Sequence, residues 1–88
     1  MSPALTDLSV VIPTLNAAAV LAETLDHLPA VGQRVIVDGG STDATVDLAR
    51  AAGAEVVRAE AGRGRQLVAG AAAARGPWLL FLHADTRL

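Results

Sequence analysis

An α/β fold built on a parallel sheet is predicted for this chain by three features of its sequence. Four short apolar runs alternate with three helical patterns in the order βαβαβαβ. No repeat of fixed period and no low-complexity linker interrupts that order, so the 88 residues read as a single domain. Third, residues able to bind or react gather just after three of the runs, at Pro13 to Asn16, Asp38 to Gly40 and His83 to Asp85. Right-handed crossovers turn such an order into a Rossmann-like half-sheet, and open sheets of that kind bind ligands outside the carboxyl ends of their strands.

The first strand is expected over Leu8 to Ile12, an apolar run that holds Ser9 and is closed by Pro13, which cannot donate to a ladder. Asn16 is a natural N-cap for a helix over Ala17 to Leu28, where Leu21, Leu25 and Leu28 form one stripe and Pro29 ends it. Arg34 to Val37 is a β-branched run that delivers Asp38 to its carboxyl end. Gly39 and Gly40 then allow a sharp turn or a close approach to a ligand. Ser41, Thr42 and Asp43 are all N-cap candidates for the next helix, expected from about Asp43 to Ala52 with Gly53 as its C′ residue. Ala54 to Ala59 reads as an edge strand flanked by Glu55, Arg58 and Glu60. After a Gly62-Arg63-Gly64-Arg65 turn, a helix is expected over Gln66 to Arg75 with Leu67, Ala71 and Ala74 as its stripe, stopped by Gly76-Pro77. Trp78 to Leu82 is continuously apolar, as in a strand covered on both faces.

Composition narrows the function. A net charge of −2, no basic run, and two aromatics that lie together at Trp78 and Phe81 argue against a nucleic-acid platform. Without cysteine there is no thiolate chemistry and no Cys-based zinc site. No apolar run approaches the ~18 residues that span a bilayer, and Met1 to Asp7 has no basic leader, so a cytoplasmic or membrane-peripheral setting is expected.

Two carboxylates at separate strand ends, with a His two residues before the second, suit a nucleotide and a divalent cation. Carboxylates repel a diphosphate unless Mg²⁺ or Mn²⁺ lies between them, and Asp85 can anchor such an ion. The plainer reading of Asp38 is that it shapes its turn, and that of Asp85 is a cap or turn residue. His83 is a second metal ligand, a contact to a ribose, or simply a strand-end residue. Arg63 and Arg65, near a helix N-terminus, either hold an anion or sit solvated on a loop. GRGR is no P-loop, and the first strand is followed by PTLN where a dinucleotide-dependent oxidoreductase needs glycines.

VVIPTLNAA, VIVDGGSTDAT and ARGPWLLFLHADTRL, in this order and spacing, resemble the amino-terminal half of a glycosyltransferase family 2 protein with the GT-A fold. The wording of DGGSTD, GRGRQ and LFLHADTRL is most similar to the branch described as radical-SAM/selenodomain-associated glycosyltransferases. The resemblance implies that Pro13, Thr14 and Asn16 line the nucleotide pocket, that Asp38 with Gly39 meets the base or ribose, and that the Arg63/Arg65 loop lies beside the nucleotide. It makes Asp85 the last acid of the family's D-x-D motif, holding Mn²⁺ or Mg²⁺ against the diphosphate of a nucleoside-diphosphate sugar. His83 stands where that motif usually has its first Asp. The reaction implied is inverting transfer to an acceptor hydroxyl, with the base and the acceptor-binding half expected beyond Leu88, and a lipid-linked acceptor at a membrane surface left open. The alternative is a non-catalytic nucleotide-binding module or an inactive fragment, and in either case the uncovered final strand is expected to make the fragment self-associate.

Overall fold

The computed structural model describes residues 4–85. Four strands, β1 (Leu8–Thr14), β2 (Gln33–Asp38), β3 (Glu55–Arg58) and β4 (Trp78–Phe81), alternate with α1 (Ala18–His27), α2 (Thr45–Ala51) and α3 (Arg63–Ala73), after a single 3₁₀ turn at Leu5–Asp7. All pairings are parallel and the order across the sheet is β3-β2-β1-β4. The chain thus steps outward from β1 to β3 and then crosses to the other side of β1, which makes the gap between β1 and β4 the point where the strand order reverses.

Period-two burial sorts the strands onto two faces. Val10, Ile12 and Ile36 pack with Leu21 and Leu25 of α1 and Ala49 of α2. Val11, Val35 and Val37 point the other way, toward Ala69 and Ala73 of α3. The stripe expected on α1 is seen: Leu21 and Leu25 are buried and Leu28 packs against the same cluster. At the amino ends of the strands the buried polar residues satisfy one another. Ser9 donates to Gln33 Oε1 at 2.8 Å and accepts from the Gly76 amide at 3.0 Å, and Gln33 Nε2 donates to Glu55 at 2.5 Å.

β1 runs two residues further than expected and includes Pro13, opposite Val37. The reason lies in the ladder. Leu82 N donates to Val11 O, so the backbone of the odd residues of β1 faces β4, and the paired part of β4 ends at Phe81, opposite Val11. The N–H that Pro13 lacks would have pointed where that ladder has already stopped. α2 is shorter than expected, and its end is a full Schellman motif: Gly53 at φ 82° donates to Arg50 O and Ala54 donates to Ala49 O.

α3 departs most from expectation. It begins at Arg63, inside the segment read as a turn, and its buried residues are Gln66 and Gly70, whereas Ala71 is exposed and Leu67 and Ala74 are half-buried. Side-chain size explains the choice of face. A Cβ on Gly70 would lie 2.2 Å from Val11 Cγ1 and 2.9 Å from Val37 Cγ2, so only the glycine face comes close enough to the sheet. β4 also differs. Rather than being covered on both faces, Trp78, Leu79, Leu80 and Phe81 are 52, 42, 37 and 44% exposed on an edge strand.

Candidate functional site

At the carboxyl end of β2, Asp38 is fully buried. Its Oδ1 accepts from Thr14 Oγ1 at 2.9 Å and Ser41 Oγ at 2.5 Å, and its Oδ2 from the amides of Gly40 at 3.1 Å and Ser41 at 2.8 Å. A carboxylate offers about four acceptor positions, and here protein donors take them all. Burial alone would raise the Asp38 pKa, but the hydrogen bonds from Ser41, Thr14 and Gly40 outweigh it and hold the carboxyl below its ordinary value. These four hydrogen bonds show Asp38 shaping its own turn.

The loops after β1 and β2 cap one another. Asn16, at φ 51°, does not cap α1 as expected. Its Oδ1 instead accepts from the amides of Thr42 at 2.8 Å and Asp43 at 3.4 Å. In return Ser41 Oγ accepts from the Asn16 amide, Thr45 Oγ1 from Ala17 and Asp43 Oδ2 from Ala18, at 2.8, 2.9 and 3.2 Å. The amides of Ala17 and Ala18 at the start of α1 are therefore met from the start of α2 and the loop before it. Of the three cap candidates for α2, Asp43 is the one that binds its first amide, taking Thr45 N on Oδ1 at 2.9 Å. Thr14, Asn16 and Asp38 thus tie the loops after β1 and β2 to one another.

Two roomier clefts, one around Ser9, Gly32 and Gly76 and one around Arg34, Gly53 and Glu55, lie at the opposite, amino end of the strands, while at their carboxyl ends open space lies at the reversal point between β1 and β4. Pro13, Arg63, Leu67, Phe81, Leu82 and His83 line a small cleft there. An Arg63 guanidinium nitrogen donates to His83 Nε2 at 2.9 Å, which fixes that nitrogen as the acceptor. Arg65 is not beside them. It points to Glu60 at 2.8 Å, an exposed pair of the kind that contributes little. Gly39 is half-buried beside the start of α3. A Cβ there would be crowded by Gln66 and Ala61, each 3.1 Å away. The sequence carried one hint of Gln66, a polar residue just inside a helix, but its burial became visible only with the sheet in place.

Asp85 is exposed, two residues past His83. Among the described residues no group of three or more His, Asp or Glu side chains forms a metal cage. Mg²⁺ and Mn²⁺ do not require one, since such ions are held by one or two carboxylates together with waters and substrate phosphates. The exposed Asp85 carboxylate fits that pattern. On His83, Nε2 is taken by Arg63.

Residues 9–88 match the family model described as glycosyl transferase family 2. The chain belongs to glycosyltransferase family 2. Among curated relatives of this family-2 chain, a PGL/p-HBAD biosynthesis glycosyltransferase of Mycobacterium bovis is 38% identical over 91% of this chain and 36% of that protein. A protein of the same description from Mycobacterium tuberculosis gives the same values. Among solved structures, glucosyl-3-phosphoglycerate synthase from Mycobacterium tuberculosis, in complex with Mn²⁺, uridine diphosphate and glucosyl-3-phosphoglycerate, has a TM-score of 0.81 at 29% identity, covering 91% of this chain and 35% of that one. TarS of S. aureus, residues 1–349, has a TM-score of 0.82 at 26% identity over 91% of this chain and 28% of its own. The fold is that of the amino-terminal part of GT-A structures, and the chain spans about a third of the length of the curated relatives it matches. These relatives lend no support to the finer resemblance to the radical-SAM/selenodomain-associated branch.

Proposed function

We propose that this chain is the donor-binding region of a glycosyltransferase that moves a sugar, with inversion, from a nucleoside-diphosphate sugar to an acceptor hydroxyl with help from Mn²⁺ or Mg²⁺. One observation carries the reading: Pro13, Arg63 and His83 meet in a cleft at the sheet's reversal point, where open α/β sheets bind their ligands. It is supported by relatives whose structures hold uridine diphosphate with Mn²⁺ or Mg²⁺.

In this reading Pro13 forms an apolar wall, and the Arg63 fork offers paired donors to a phosphate. His83 keeps Arg63 turned toward the cleft, and Asp85 carries the negative charge that holds the cation. Bound there, the cation supplies positive charge that stabilises the departing nucleoside diphosphate. Thr14, Asn16, Asp38 and Gly39 act one step back, by fixing the two loops on which a nucleotide would rest. Arg65 contributes on release from Glu60. The base that deprotonates the acceptor is assigned to the part of the relatives' length that this chain does not span. Among the described residues no helix is long and apolar enough to cross a membrane, and the cytoplasmic or membrane-peripheral setting, with a lipid-linked acceptor among the options, belongs to the same proposal.

Calorimetry with uridine diphosphate, with and without Mn²⁺, tests this. The expected result is weak binding that tightens with the metal, and an Asp85→Ala variant that loses most of that gain. Equal affinity with and without Mn²⁺ in the unmutated chain would remove the metal role of Asp85.

A further inference from the structure

Gln66 is 5% exposed, and a long amide buried at the start of a helix must find partners for both its ends. It finds them on three different elements. Nε2 donates to the carbonyls of Thr14, at the end of β1, and Val37, near the end of β2, each at 2.9 Å. Oε1 accepts at 3.2 Å from the amide of Gly62, the N-cap residue just before α3. An apolar side chain of the same length would fill the space but leave those groups without this partner, so the polarity has a use beyond packing. Gly39 is part of the same device. A Cβ there would come within 3.1 Å of both Cδ and Nε2 of Gln66, so the amide reaches the strand ends over a position without a side chain.

Arg63 sits on the turn of helix that this amide clasps, and reaches from it to His83 Nε2 at 2.9 Å. The height of α3 over the sheet therefore sets where that guanidinium lies in the cleft. We propose that Gln66 is a positioning residue of the donor site: its amide ties the start of α3, and Arg63 with it, to the carboxyl ends of β1 and β2. The proposal rests on the donor-site reading given above. A role confined to stability predicts something different, namely a lower melting temperature with Arg63 acting as before.

A double-mutant cycle separates the two. Uridine diphosphate affinity in the presence of Mn²⁺ is measured by calorimetry, well below each melting temperature, for the 88-residue chain, Gln66→Met, Arg63→Ala and the double variant. Gln66→Met is expected to weaken binding about five- to tenfold, the scale of a lost hydrogen bond. The double variant is expected to bind within about twofold of Arg63→Ala alone, because the lost clasp acts through Arg63. If the two single effects multiply instead, Gln66 does not position Arg63. A ligand-free measurement stands beside the cycle: the nuclear Overhauser cross-peak between the Arg63 side chain and the His83 ring should be present in the parent and weakened in Gln66→Met. If the parent binds no uridine diphosphate, the donor-site reading fails, and this cross-peak alone judges Gln66; its persistence in the variant overturns the proposal. Should Gln66→Met not fold, Gly39→Ala crowds the same amide and takes its place in both measurements. Unchanged affinity and an unchanged cross-peak in that variant would also overturn it.

Discussion

Asp38 is a buried charge with no cation beside it among the described residues, held instead by four hydrogen bonds from three residues. An Asn in its place would keep one oxygen and turn an NH₂ toward groups that themselves donate. Asp38→Asn is therefore expected to cost about 2–3 kcal/mol, read as a lower urea midpoint at pH 7. Because the folded-state pKa is lowered, this carboxylate contributes stability that is fully present above its unfolded value of about 3.9 and lost as pH falls through the folded value. The stability gap between parent and Asp38→Asn should thus begin to close below about pH 4. A gap that stays constant from pH 7 to pH 3 would mean that the hydrogen bonds do not favour the charged form. Asn16 makes a related point about local chemistry. Its left-handed backbone is a conformation Asn tolerates, and its side chain caps a loop that lies across the site.

Among the elements, α3 depends most on small residues. Gly70 lies mid-helix, where glycine normally costs about 1 kcal/mol against alanine. Its Cβ would collide with Val11 and Val37, so Gly70→Ala should destabilise by about 1–3 kcal/mol despite the better helix former. Gly64, in the first turn of the same helix, has nothing within 4 Å of where its Cβ would be. Gly64→Ala should be neutral or stabilise by up to about 1 kcal/mol. Opposite signs in chemical denaturation are the expected outcome, and a tolerated Gly70→Ala would show that α3 can stand further from the sheet than the geometry indicates.

For the whole molecule, the two sheet edges are unequal. On β3, Glu55 and Arg58 are exposed charges, with Glu55 paired to Arg75 at 2.7 Å, and charge on an edge discourages further pairing. β4 presents four apolar side chains, all at least 37% exposed, and among the described residues no strand lies on its outer side. Exposed apolar area on an unpaired edge promotes association. The 88-residue chain is therefore expected to self-associate through Trp78 to Leu82. Light scattering should give a mass above the monomer that falls on Leu80→Lys. A monomeric parent, or a variant that assembles equally well, would count against it.

What could be read directly from the sequence was whatever is encoded within a few neighbouring residues. Strand runs such as Val35-Ile36-Val37, the Leu21–Leu25 stripe and the Gly53 stop are set by side-chain period and local turn chemistry, and with their order they lead to a parallel α/β sheet. The strand-end positions of Pro13, Asp38, His83 and Asp85 follow from the same periodicity. The tertiary structure decided what depends on a partner far along the chain. In α3, alanine and glycine recur on every side, so the helical pattern had little contrast and the cleft between Val11 and Val37 selected the Gln66–Gly70 face. Asn16 spent its cap on residues 26 and 27 positions away, because the sheet lays the β1 and β2 loops side by side. An apolar run such as Trp78 to Leu82 states only that a strand can be covered. Whether it is covered depends on the neighbours in space, and among the described residues β4 pairs with a strand on one edge alone.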